Sequence, residues 1–144
     1  MKLKVKKVRE NATLPTRGTK EAAGIDLYAC IDEPIVIPTG GYSTIPTGIA
    51  CDFPDGYYGQ IAVRSSIGFK KHLGLMNQIG VIDNDYNGEI TVGLRNFGSL
   101  PQTIEPGDRI AQMVLLPYLI CDIVETDTLE ETERGEGGFG STGR

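Results

Sequence analysis

Apolar and other residues alternate with period two along Leu3–Val8, Ile25–Ile31, Gln60–Val63 and Ile90–Leu94, the pattern of strands that turn one face to a core. Clusters of Pro, Gly and Asp punctuate these runs every eight to twelve positions, which predicts an all-β sandwich or barrel. Helix-period patterns are nearly absent. One short helix is expected between Ser65 and Leu73, with Ser65 or Ser66 as N-cap. Within "GVIDNDYNGEI", Gly80 to Ile90, the pair Asn87-Gly88 between strand-like flanks predicts a type I′ hairpin turn, since both residues tolerate positive φ. No internal repeat is present. From about Glu125 the run "ETDTLEETE" is charged and poor in apolar residues. Residues 1–124 are therefore expected to form the β domain, and 125–144 an acidic linker leading to a glycine-rich tail.

The 144 residues suit one domain with its own core. No stretch approaches the roughly 20 apolar residues of a membrane helix, and the basic opening Met1–Lys7 is not followed by the apolar run of a secretion signal. Cys30, Cys51 and Cys121 are odd in number and lack C-x-x-C spacing. They read as buried thiols in a reducing, cytoplasmic compartment, not as disulfides or zinc ligands. A net charge of −5 argues against a nucleic-acid partner. A phosphate ligand would have to be met locally, by isolated arginines and backbone amides, with a divalent cation to offset the remaining charge.

Several segments have more than one chemical reading. Asp83, Asp85, Asn87 and Gly88 follow the first half of a calcium loop, but Leu94 stands where the bidentate Glu belongs and the flanks are strands, so the plainer reading is a turn with solvated acids. "VRSSIG", Val63 to Gly68, offers either a phosphate cradle or simple helix capping. A serine nucleophile there is poorly supported, because His72 is the only histidine and no G-x-S-x-G elbow exists. Asp26 in "AAGIDLYA" faces opposite Ile25 and Leu27, toward water if that strand is half-buried. Asp108 and Arg109 in "PGDRIAQ" can be a surface pair. The tail "RGEGGFGSTGR" contains a literal G-x-G-x-x-G, yet too few residues follow for the helix that a dinucleotide site needs.

Taken together, AGIDLYA, VRSSIG, GVIDNDYNGEI, GDRIAQ and RGEGGFGSTG resemble the five motifs of the trimeric dUTP pyrophosphatase (dUTPase) family, in that family's order and at compatible spacing, from Ala22 to Gly143. Departures are slight: Val63 stands where many members have proline, and Glu136 occupies a variable place. The resemblance implies a jelly-roll-like β-barrel with one short helix and a flexible C-terminal tail. It also implies a homotrimer whose active sites are shared between chains. The activity implied is hydrolysis of dUTP to dUMP and pyrophosphate with Mg²⁺. Alternatives within the fold are a dCTP deaminase or bifunctional deaminase and a dUTP-gated regulatory protein; a zinc deaminase lacks its H-x-E and P-C-x-x-C.

Carried over by this resemblance, Asp83 matches the carboxylate that orients and deprotonates the attacking water, and Asp26 one that holds the waters of a substrate-chelated Mg²⁺. Asn77 matches the uracil-reading asparagine, assisted by the backbone of Gly80, Val81 and Ile82, and Tyr86 the aromatic under the deoxyribose. Arg64, Ser65, Ser66, Gly68 and Gln112 fall on the α- and β-phosphate side. Arg134, Phe139, Gly140 and Ser141 belong to the closing tail, with Phe139 over the uracil and Arg134 and Ser141 at the γ-phosphate.

Overall fold

The computed structural model describes residues 1–138. In chain order they form β1 (Lys4–Lys7), β2 (Ile25–Tyr28), β3 (Ile35–Ile37), β4 (Tyr42–Pro46), β5 (Ile49–Asp52), β6 (Tyr57–Ala62), α1 (Ser65–Lys71), β7 (Leu73–Leu75), β8 (Gly80–Ile82), β9 (Thr91–Asn96), β10 (Gln102–Ile104) and β11 (Arg109–Pro117). All strand pairs are antiparallel. Two larger sheets, β2-β11-β6-β8 and β4-β9-β7, are accompanied by the two-stranded ladders β1-β5 and β10-β3. Leu27, Ile37, Ile45, Ile49, Leu73, Ile90, Leu94, Ile104, Ile110 and Met113 fill the interior between them. Apolar side chains from every strand but β1 and β8 enter this single cluster fully buried, so the sheets stabilise one another through it. No helix among the described residues is long and apolar enough to cross a membrane.

Four sequence expectations need correction. The Asn87-Gly88 hairpin does not form: β8 pairs with β6 while β9 pairs with β4 and β7, so the two flanks leave for different sheets. Neither residue takes a positive φ. The helix is capped by the backbone of Arg64 without a side-chain hydrogen bond, which leaves both serines inside its first turn. Asp26 does not face water, because β2 is buried on both faces. Finally, Cys30 and Cys51 are buried, with burial pushing the Cys51 thiol up to about 11, but Cys121 is exposed.

Beyond β11 the described chain forms no further strand or helix, and its apolar residues Leu119, Ile120, Ile123 and Val124 stand exposed. The expected boundary at residue 124 therefore lies a few residues beyond the last strand, which ends at Pro117.

One buried polar side chain ties three segments together. Asn96 is fully buried; its Nδ2 donates to the carbonyls of Ile37 at 3.0 Å and Leu100 at 2.8 Å, and its Oδ1 accepts from the Gly98 amide at 2.9 Å. Asn96→Ala strands those groups, and a loss of about 3 kcal/mol is expected in urea unfolding at fixed protein concentration. A loss below about 1 kcal/mol would mean that water replaces the side chain.

Candidate active site

The expected residues fall into two groups on opposite flanks of β6. The first sits where β2, β11 and the end of β6 meet. In the ladders Gln112 is opposite Asp26 on one side and Ala62 on the other, so these three share a face. Arg64 follows two residues after Ala62 and reaches back, its Nε donating to Asp26 Oδ1 at 2.7 Å and its Nη1 to Ser66 Oγ at 3.3 Å. Next to a bulge in β11 between Arg109 and Ala111, Arg109 Nη1 donates to Asp26 Oδ2 at 3.3 Å instead of pairing with Asp108. Gln112 packs against Gly24 and donates to the Val63 carbonyl at 3.1 Å.

One buried carboxylate thus faces two guanidiniums, leaving a local excess of one positive charge in a chain of net charge −5. Arg109 remains about half exposed, which leaves donors free for an anion.

The second group surrounds β8. Gly80 lies so close to β6 that a Cβ there would meet Ile61 at 2.8 Å, which only glycine permits. Asn77, Gly80, Val81 and Ile82 line a cavity of about 220 Å³ with β9 behind it. An adjoining cavity of about 200 Å³ is lined by Val81, Ile82, Asp83, Tyr86, Glu89 and Thr91. Asp83 also borders a third cavity of about 500 Å³, whose lining includes Asp85, Asn84, Tyr58 and Tyr118 but no cation.

The loop carrying Asp83 and Tyr86 closes on itself, the Tyr86 amide donating to the Asp83 carbonyl at 3.1 Å. Asn84 fastens it to the turn before β6 by donating to the carbonyls of Pro54 at 2.9 Å and Tyr57 at 2.8 Å. At its far end Glu89 is held bidentately by Arg9, at 2.6 and 2.9 Å, and accepts from the Gly48 amide at 2.9 Å. Sequence reading missed Asn84, Glu89, Thr91 and Arg9 altogether. It had no signal for Arg9, whose partner is 80 residues away.

The two groups do not meet within one chain. Extending the β6–β8 register places Asp83 opposite Tyr58, and Asp26 lies across β11 and β6, level with Ala62. Strand rise and strand spacing then separate Asp83 from the Asp26–Arg64 pair by about 20 Å.

Among the described residues no cluster of three His, Cys, Asp or Glu side chains could hold a metal ion. Both Asp26 oxygens already accept from arginine, each keeping lone-pair capacity for a water. This donor set fits a cation held by a ligand's own oxygens, with the protein at one water's remove, and not a protein-ligated metal. In the tail, Arg134 Nε donates to the Gly137 carbonyl at 2.8 Å and Gly135 takes φ 50°. Phe139, Gly140 and Ser141 lie outside the described residues.

Comparison with known proteins decides the family: the dUTPase family model matches residues 10–143. The chain belongs to the dUTPase family. It is 48% identical to a deoxyuridine 5'-triphosphate nucleotidohydrolase of Hydrogenobaculum sp. over 99% of both chains. The protein of the same name from Anaplasma marginale is 47% identical over 90% of this chain and 88% of its own. Among solved structures, a mutant dUTPase of Staphylococcus bacteriophage 80alpha with dUpNHpp shares 29% identity, covers 99% of each chain and superposes with a TM-score of 0.89. A mutant dUTPase of phage phi11, at 25% identity and TM-score 0.81 over 91% of this chain and all of its own, is described with a structural Mg(II) ion. The relatives' shared hydrolase name separates this dUTPase from the deaminases considered as alternatives.

Arg9 holds the Glu89 carboxyl below the usual carboxylate range, chiefly through its hydrogen bonds and with help from the Gly48 amide, against a smaller opposing effect of burial. A depressed carboxyl contributes stability that is present above its unfolded value and lost as pH falls through the folded one. The stability difference between this protein and Glu89→Gln should therefore be constant above the ordinary value of 4.5 and shrink below it. Urea midpoints of both proteins across pH 3 to 7 check this; a difference that grows on acidification would contradict it.

Proposed function

We propose that the chain hydrolyses dUTP to dUMP and pyrophosphate with the uracil and sugar in the two cavities beside β8, and with Asp83 as the base for the attacking water. The observation that carries this reading is the position of Asp83, in the wall of the cavity that Tyr86 also lines. A base standing there lies at the sugar end of a bound nucleotide, where the α-phosphate begins. The narrow cavity lined by Asn77, Gly80 and Val81 supports uracil recognition. The Asn77 amide supplies a donor and an acceptor, the backbone of Gly80 to Ile82 completes the set, and close walls reject the thymine methyl. Tyr86 packs under the deoxyribose, where a ribose 2′-hydroxyl finds no room.

The phosphates would be held by Arg64, Ser65, Ser66, Gly68 and Gln112. In the single chain this cluster is about 20 Å from Asp83, too far for both to act on one α-phosphate. The large cavity beside Asp83 also carries carboxylates and no cation, an unfavourable place for a triphosphate unless cations arrive from elsewhere. Both facts support a homotrimer in which one copy's Arg64 cluster faces the next copy's Asp83. The tail residues Arg134, Phe139, Gly140 and Ser141 close over the bound nucleotide, and its glycines let the backbone approach the phosphates.

Asp26, fixed by Arg64 and Arg109, would hold the waters of a Mg²⁺ carried by the triphosphate, and that ion would supply charge neutralisation to the departing pyrophosphate. No nucleic-acid or membrane partner is part of this reading, and the net charge of −5 suits a small-molecule enzyme of the cytoplasm.

Asp83→Asn should abolish turnover, by about a thousandfold or more, while Mg²⁺-dependent dUTP binding persists, because the amide keeps the shape but cannot accept the proton. Pyrophosphate release measured against dUTP, dCTP, dTTP and UTP, with calorimetric dUTP binding to the variant, tests both parts. Near-normal turnover by Asp83→Asn, or equal use of the four nucleotides, would sink the reading.

A further inference from the structure

Glu89 is an odd residue to find in the wall of a cavity meant for a nucleotide, because a free carboxylate there would repel the triphosphate. It is not free. Arg9 engages both of its oxygens, and the Gly48 amide donates to one of them. The bonds continue into a closed ring, since the Gly48 carbonyl accepts from the amides of Val8 at 2.8 Å and Arg9 at 3.3 Å. Residue 90 is fixed as well: the Ile90 amide donates to the Ile49 carbonyl at 2.9 Å, and its own carbonyl accepts from the Thr47 amide and hydroxyl. Glu89 through its side chain and Ile90 through its backbone are thus tied to Thr47, Gly48 and Ile49, where β4 turns into β5.

Tyr86 leans on that fixed point. Its hydroxyl donates to the Glu89 carbonyl at 3.0 Å. Its ring lies on the Gly88 backbone so closely that a Cβ at Gly88 would come within 2.5 Å of it. The height of the ring in the cavity is therefore set by Glu89, and Glu89 by an arginine from a segment that belongs to none of the five motifs.

We propose that the Arg9–Glu89 pair is a specificity-determining clamp: it positions Tyr86 and, through Tyr86, excludes nucleotides that carry a 2′-hydroxyl. The proposal rests on the reading of Tyr86 as the residue under the sugar. Arg9 and Glu89 are positioning residues here, acting on the substrate through the tyrosine. Neutralising the carboxylate is the pair's second effect, since it removes a repulsive charge from the cavity wall.

The test compares kcat and KM for dUTP and UTP in purified, folded variants of the full chain. In Glu89→Gln the isosteric side chain keeps the fold but loses the charge-assisted bonds. The ratio of kcat/KM for dUTP over UTP should then fall about tenfold, through a higher KM for dUTP and a lower one for UTP, with kcat for dUTP within about twofold. Arg9→Gln, which leaves Glu89 in place, should do the same, and Arg9→Lys should recover part of the loss. Tyr86→Phe removes the hydroxyl at the other end of the chain of contacts, and combining it with Glu89→Gln should give no more than the larger single loss, since the two act in series. Unchanged discrimination in both Glu89→Gln and Arg9→Gln, or losses that simply add with Tyr86→Phe, would overturn the clamp. Tyr86→Ala separates the two levels. If it leaves discrimination intact, the sugar reading of Tyr86 fails; if it abolishes discrimination while Glu89→Gln does not, the clamp alone fails.

Discussion

Strand β6 sets the geometry on which everything else depends. Of its two antiparallel partners, β11 pairs along the whole strand and β8, on the other side, along Gly59 to Ile61. That register holds Asp83 at one end of the strand and the Arg64 cluster beyond the other. A strand cannot be compressed, because its rise is fixed by backbone hydrogen bonding. Asp83 and Arg64 of one chain are therefore kept apart by the same ladder that builds the core. If both act on one nucleotide, as proposed, a second copy has to bring them together.

The Asp26 cluster shows how an acidic chain can concentrate positive charge locally. Asp26 is buried, and a buried carboxylate is tolerated only when paired. It has two partners, Arg64 and Arg109, the second beside the bulge in β11. As the counter-ion of both it leaves one surplus positive charge, which an anion can complete.

Much of this was legible in the chain itself, and the misses have definite causes. Period-two alternation located β1, β2, β6 and β9 to within a few residues, because each places apolar side chains in the core or, for β1, against it. Asn87-Gly88 misled, since a turn signal is local and cannot say that β8 and β9 leave for separate sheets. Asp26 misled for a similar reason: alternation reports which residues share a face, not whether the second face is also covered. The five motifs named most of the candidate residues that fall in the two groups. They could not show that these lie on opposite flanks of β6, nor that Arg9 and Glu89, 80 positions apart, stand behind Tyr86, because strand pairing across such separations has no local sequence signature.

The division of the site between copies is the central claim, and mixing two damaged chains tests it most directly. Chains carrying Asp83→Asn and chains carrying Arg64→Gln are each expected to be inactive alone. In randomly mixed equal proportions, a site that takes its carboxylate from one copy and its arginine from another is intact in both parts about a quarter of the time. Pyrophosphate release from dUTP should then return to about a quarter of the unmodified level after subunits have been exchanged by unfolding and refolding together. Activity no higher than that of the separate variants, in assemblies shown to contain both chains, would contradict a shared site.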